Sequence, residues 1–396
     1  MKRVDCFLIF LISTIGCKKP YNPPAIIAPG SYLVVEGVID SGSDSTIIKL
    51  SRTVNLSSKV TVNPIAGGVV TVESDQNDTY LLTEITNGTY VASGLNLDNT
   101  RKYRLRIKTG IEEYLSDFVA VLNSPPIDSI SYTVQSNGVN IYSNTHDPKN
   151  NTRYYRWDYT ETYIFHSPFY SQWKSNGDTV LLRDMVNDQI YSCWRSDTSS
   201  NIILGSSAKL TKDIIVNYPI TFIPSQSQKF TQKYSIMVRQ YALTGDAYNF
   251  WQNLKKNTEQ LGSIFDAQPS ALNGNIHSVS HPSEPVIGYV SVGSVANQRI
   301  FISSSNLPLS FQPNPNDPSC LLVFALFIYY PQGSNTPINQ ENEYFNFNKG
   351  AMAPYLQIPV AAITAPDGTI VGHTGSDPRC VDCTLSGTNK QPVFWR

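Results

Sequence analysis

Six cysteines and five histidines carry the most specific chemistry in this 396-residue chain. Cys380-Val381-Asp382-Cys383 has the spacing of a redox pair or of half a zinc site. A redox pair belongs at the start of a helix behind a strand, whereas this motif falls in a coil near the C-terminus. A four-cysteine zinc site sits poorly with an exported chain, in which thiols oxidise. Cys193, Cys320, Cys380 and Cys383 are even in number and read as two structural disulfides with three possible connectivities. His277 and His281 have the spacing of a helical metal pair, but Pro282 and the polar residues between them do not fit a helix. Asp40 and Asp44 flank a turn without the further oxygen ligands that Ca²⁺ needs. No GxSxG elbow, P-loop, HExxH or EF-hand loop occurs. The expectation is a chain with no catalytic residue, no metal and no cofactor. A surface hydrolase of glycans or peptides is the enzymatic alternative, because sequence spacing does not give the distance between two carboxylates.

The remaining cysteines belong to the N-terminus. Met1, Lys2 and Arg3, the apolar run 7–12 and the small and polar residues up to Gly16 have the order of a secretory signal over residues 1–16. That run is too short for a bilayer, which takes about 20 residues. Cys6 leaves with the signal. Gly16-Cys17 resembles the end of a bacterial lipobox, with Thr14 where Leu is usual, so Cys17 is the expected lipidation site. Residues 17–30, with Lys18-Lys19-Pro20-Tyr21-Asn22-Pro23-Pro24, read as an extended tether. Each buried lipid methylene contributes about 0.8 kcal/mol, so a multiply acylated cysteine holds a protein on a membrane.

The elements that position these residues are strands. From 31 to 123, short alternating segments such as Tyr32-Leu33-Val34-Val35 and Tyr103-Arg104-Leu105-Arg106-Ile107 recur about ten residues apart. They predict a β-sandwich of immunoglobulin or transthyretin type. Ser124-Pro125-Pro126 marks a boundary, and residues 124–396 read as a larger β-rich domain with one helix near 245–261. Thr244 or Asp246 caps the start of that helix, and Gly262 its end. Tyr155, Trp157 and Tyr159 alternate on one strand face and are expected in the core. The most apolar run, Leu321 to Tyr330, predicts a central strand buried on both faces. The segment 163–179 reads as a long loop, and its aromatics Tyr163, Phe165, Phe169, Tyr170 and Trp173 are the candidate binding surface. Phe169→Ala and Trp173→Ala are expected to weaken docking and leave stability almost unchanged. With 30 Lys and Arg against 31 Asp and Glu, net charge -1, attraction of nucleic acid by bulk charge is excluded.

Tyr32-Leu33-Val34-Val35-Glu36-Gly37, Lys49-Leu50-Ser51-Arg52-Thr53, Pro126-Ile127-Asp128-Ser129-Ile130, Tyr154-Tyr155-Arg156-Trp157, Cys193-Trp194, Gly262-Ser263-Ile264-Phe265-Asp266 and Val286-Ile287-Gly288-Tyr289 follow one another in a fixed order. Gly387-Thr388-Asn389-Lys390-Gln391-Pro392 and Phe394-Trp395 close the chain. With the lipoprotein signal, this order resembles the Bacteroidetes envelope lipoproteins grouped as domain of unknown function 4249. The resemblance implies an outer-membrane lipoprotein working beside a TonB-dependent transporter, and it supplies no catalytic residues. Lys18 and Lys19 are basic where surface-bound lipoproteins of that phylum tend to be acidic, which leaves the leaflet open between periplasmic and cell-surface. A structural or adhesive surface protein is the third reading.

Overall fold

The computed structural model describes residues 31–54, 59, 62–259, 272, 274–311, 319–350 and 356–395. The expected signal, Cys17 and the tether lie outside them, as do Leu261, Gly262 and the Gly262-Ser263-Ile264-Phe265-Asp266 stretch. The described chain is mainly β, 47% strand against 11% helix.

Period-two alternation builds the N-terminal sheet. Leu33 and Val35, Ile48 and Leu50, Val70 and Val72, and Tyr103, Leu105 and Ile107 all turn inward and are buried. Their polar neighbours turn outward, as a half-buried strand requires. Two leaves result. One contains Leu33–Asp40, Ser45–Arg52 and Thr89–Ser93, and the other Val69–Ser74, Lys102–Thr109 and Glu112–Ser116. Thr79–Thr86 belongs to both, because its first half pairs with Val69–Ser74 and its second with Thr89–Ser93. The expected sandwich is therefore one sheet folded over a common core.

The opposite edges are closed by residues far along the chain. Ile276–Ser278 adds to Glu112–Ser116, and Val286–Ile287 adds in parallel to Leu33–Asp40. An uncovered strand edge presents unpaired backbone groups and invites aggregation, so this return of the chain covers both edges and nearly closes a barrel. Residues 276–293 thus join the unit that the sequence assigned to 31–123. They were not legible there because each added piece is only two or three residues long.

Ser124-Pro125-Pro126 leads into the second unit over a polar junction. Leu122 N–H donates to Val292 O at 2.9 Å. The fully buried Gln240 donates to Pro125 O at 2.9 Å and accepts from Trp157 Nε1 at 2.9 Å. Beyond it, a three-stranded sheet (Ile127–Gln135, Gly138–His146, Ile214–Pro224) faces a five-stranded one around Tyr154–His166 and Lys233–Leu243. Tyr155 and Trp157 lie in the core between them, and Trp157 stacks on Tyr218 at 4.7 Å. The helix Gly245–Glu259 forms where expected, with Thr244 Oγ1 accepting from Ala247 N–H at 3.2 Å. It buries Ala247 and Phe250, and its Trp251 faces Tyr241 across the guanidinium of Arg156, 4.4 and 4.2 Å from the two rings.

The last sheet is small: Val323–Leu326, Ile370–Ser376 and Ile358–Thr364 in that spatial order. Here the sequence reading of Leu321 to Tyr330 is corrected. Only four residues of the run are strand, and that strand is an edge. Leu321 is 73% exposed, Phe324 63%, Ile328 67% and Tyr330 58%. A continuous apolar run ordinarily signals a strand covered on both faces. Among the described residues, this chain covers only one.

Candidate docking surface

Two disulfides fix the small sheet. Cys193 pairs with Cys383, 190 residues apart, and Cys320 with Cys380, 60 apart. The CxxC motif is therefore divided between two distant partners, and its redox and zinc readings lapse. Cys193 lies on the strand Ser192–Thr198 of the five-stranded sheet, so the C-terminal segment is tied directly to the second unit. The adjoining Trp194 reinforces this by exchanging backbone hydrogen bonds with Thr388 at 2.8 and 2.9 Å.

The segment expected to be a docking loop is the seat of this sheet. Tyr163 and Phe165 lie within the strand Tyr154–His166, not in a loop. Tyr163 is 6% exposed and belongs to the core of the second unit, with Phe165 packed on that core. Phe169 packs against the cluster of Val360, Cys380 and Val381, and its N–H donates to Cys380 O at 2.9 Å. Ser167 and Ser171 donate to Val381 O at 2.8 Å and Pro359 O at 2.7 Å. Trp173 covers the ring of His373 at 4.3 Å. Of the five candidate residues only Tyr170 is exposed, at 46%, with its edge against Tyr191. Beside it His166 stacks flat on Tyr191 at 4.5 Å, and burial holds its pKa below the ordinary histidine value.

The small sheet has two unlike faces. His373 and Ala325 stand opposite each other in register and both turn inward. His373 Nδ1 is hydrogen-bonded to the buried carboxylate of Glu341, which sits on the short helix Glu341–Tyr344. Phe345 is pressed so closely on the sheet that a Cβ at Gly375 would lie 2.3 Å from its Cε1. Phe324 and Thr374, the next pair in register, turn outward. With Leu321, Ile328, Tyr329 and Tyr330, Phe324 gives an exposed apolar surface, while Phe327 sets its edge against the inward His373 at 6.0 Å. No charged residue occurs between Ser319 and Gln340. The free edge of the strand is partly capped: Gln340 N–H donates to Leu326 O at 2.9 Å and Gln340 Oε1 accepts from Leu326 N–H at 3.1 Å. What this arrangement offers a partner is apolar side-chain area. The sequence signal that could have found it is an imbalance, since no second run of comparable length and apolarity is available to cover both faces.

The other groups singled out in the sequence do not converge as that reading paired them. His277 lies on an extended strand 3.5 Å from Asp117, while His281 turns towards Glu112 at 3.2 Å. Asp40 is a turn former that accepts from Gly42 N–H at 2.8 Å, and burial raises its pKa. Four buried carboxylates among the described residues are engaged within the second unit and the small sheet: Asp147 by the N–H groups of Lys149, Asn151 and Thr152, Glu161 by Lys229 and Tyr234, Asp213 by Tyr155 and Ser207, and Glu341 by His373. No helix among the described residues is long and apolar enough to cross a membrane.

No curated protein matches the chain. The family described as a domain of unknown function (DUF4249) matches residues 18–299, more than two thirds of the chain and all of it before the small sheet, and the protein belongs to that family.

Proposed function

We propose that this protein is a non-enzymatic accessory protein of the cell envelope, held to the outer membrane by lipid on Cys17. It acts by docking an outer-membrane partner on the small sheet, and in our reading that partner is a TonB-dependent transporter. One observation carries the docking role: the most apolar stretch of the chain is exposed on a sheet locked in place by two disulfides. Monomeric proteins seldom expose large contiguous apolar patches, and such patches mark sites of association. Aromatic residues with few charges are the composition of an interface centre. Gln340 occupies the backbone groups of Leu326 and shortens the free edge, so in our reading recognition rests on side chains. The anchor is supported by the order of charged, apolar and small residues before Cys17, and the transporter by the family resemblance alone.

The test is co-purification from native membranes in mild detergent. The wild-type chain retains a stoichiometric outer-membrane partner, and Phe324→Ser with Ile328→Ser loses it while the melting temperature stays unchanged. Retention of the same partner by the double variant overturns the docking site. Hydrolysis of a glycan or peptide by the purified chain, abolished by a single carboxylate substitution, would replace the accessory reading with the enzymatic one.

A further inference from the structure

We propose that Glu112, His281 and Glu284 form a binding site for a divalent transition metal, Zn²⁺ or a close neighbour, that clasps the closing edge of the N-terminal sheet. Glu112 opens the strand Glu112–Ser116. His281 and Glu284 lie in the turn joining Ile276–Ser278, which pairs with that strand, to Val286–Ile287, which pairs with Leu33–Asp40 on the other leaf. Glu112 is 169 residues from His281 in sequence, and one donor atom from each of the three side chains lies within 4.8 Å of the others. His281 Nδ1 is 3.2 Å from Glu112 Oε2. Metal–ligand bonds of about 2.0–2.2 Å give tetrahedral ligand–ligand edges of about 3.3 Å, so this pair already stands at the required separation. Glu284 needs only a side-chain adjustment to complete three protein ligands. His281 is 64% exposed, which leaves the fourth position to solvent.

The site is held from behind. The buried Tyr114 hydroxyl lies 3.1 and 3.3 Å from the two oxygens of Glu284 and donates to that carboxylate, as the outer partners of ligating carboxylates do. Glu284 N–H donates to His281 O at 2.8 Å, and His281 N–H to Ser278 Oγ at 3.0 Å, so the turn presents both side chains on one side. An imidazole among the donors selects a transition metal over Ca²⁺ or Mg²⁺, which take oxygen sets. Two carboxylates supply the negative charge, and Arg52, 3.9 Å from Glu284, offsets part of it. The competing arrangement is an ion pair of protonated His281 with Glu112 and no metal. His277, turned to Asp117, takes no part.

The experiment uses the full chain stripped with EDTA and titrated with Zn²⁺ alone by calorimetry, with thermal melting in parallel. The site predicts one equivalent bound and a melting temperature raised by about 5 °C at saturating metal, since a ligand of the folded state alone stabilises it by mass action. His281→Ala and Glu112→Gln each weaken binding at least tenfold, His277→Ala leaves it unchanged, and Arg52→Gln tightens it. No stoichiometric binding, or binding that survives His281→Ala, overturns the proposal. His281 is exposed, so its loss does not threaten folding.

Discussion

Phe169 and Trp173 stand between the second unit and the small sheet, so their truncation is a test of packing. Phe169→Ala removes a ring from the cluster around Cys380 and Val381, and Trp173→Ala uncovers His373. Each should cost about 2 kcal/mol, below the roughly 3–5 kcal/mol of fully buried aromatic truncations because both rings are only partly buried. Urea denaturation checks this, and a loss below about 0.5 kcal/mol would return the two residues to the surface. Tyr170→Ala, by contrast, should leave stability within about 0.5 kcal/mol. The misplacement of Tyr163 and Phe165 in the sequence reading has a physical cause. Tyr155, Trp157 and Tyr159 keep the apolar period, and Tyr163 and Phe165 continue it on the same face, but Glu161 interrupts it. A carboxylate inside a strand face suggests that the strand has ended. Here it is buried because Lys229 and the Tyr234 hydroxyl meet its two oxygens, the condition under which a charge is tolerated in a core.

At the scale of elements, the two disulfides do what the small sheet's own core cannot. Three short strands with one covered face lie near the lower limit for independent stability, and the cluster behind them is small. Closing loops of 60 and 190 residues restricts the unfolded chain most where the loops are longest. Each bridge should contribute about 2–4 kcal/mol. Reduction should therefore release 320–395 before the N-terminal sheet, seen as early loss of amide protection on Ile370–Ser376 while Lys102–Thr109 stays protected. Simultaneous exchange of the two strands would contradict the assignment. The disulfides were legible as a class and not as pairs, because connectivity depends on where the C-terminal segment returns. Long alternating strands and the capped helix were legible too, being local patterns. The edge strands at 276–287 were not, since a piece two or three residues long has no period.

For the whole molecule, the reading unites an N-terminal lipid with a C-terminal apolar face. Cys17→Ala should abolish lipid labelling and release the chain into the soluble fraction, and unchanged membrane retention would refute the anchor. The apolar run 321–330 was visible in the sequence as the most hydrophobic stretch of the chain, but hydrophobicity states only that a surface avoids water. It does not say whether the same chain or another covers it. The most direct measurement is site-specific photocrosslinking in living cells, with the photoreactive residue placed in turn at Phe324, Ile328 and Tyr330 on the exposed face, and at Leu81 on the N-terminal sheet as a control exposed to 64%. The account predicts one outer-membrane protein captured from the first three positions and not from Leu81. Capture from Leu81 alone, or lipid adducts in place of protein at Phe324, Ile328 and Tyr330, would contradict it.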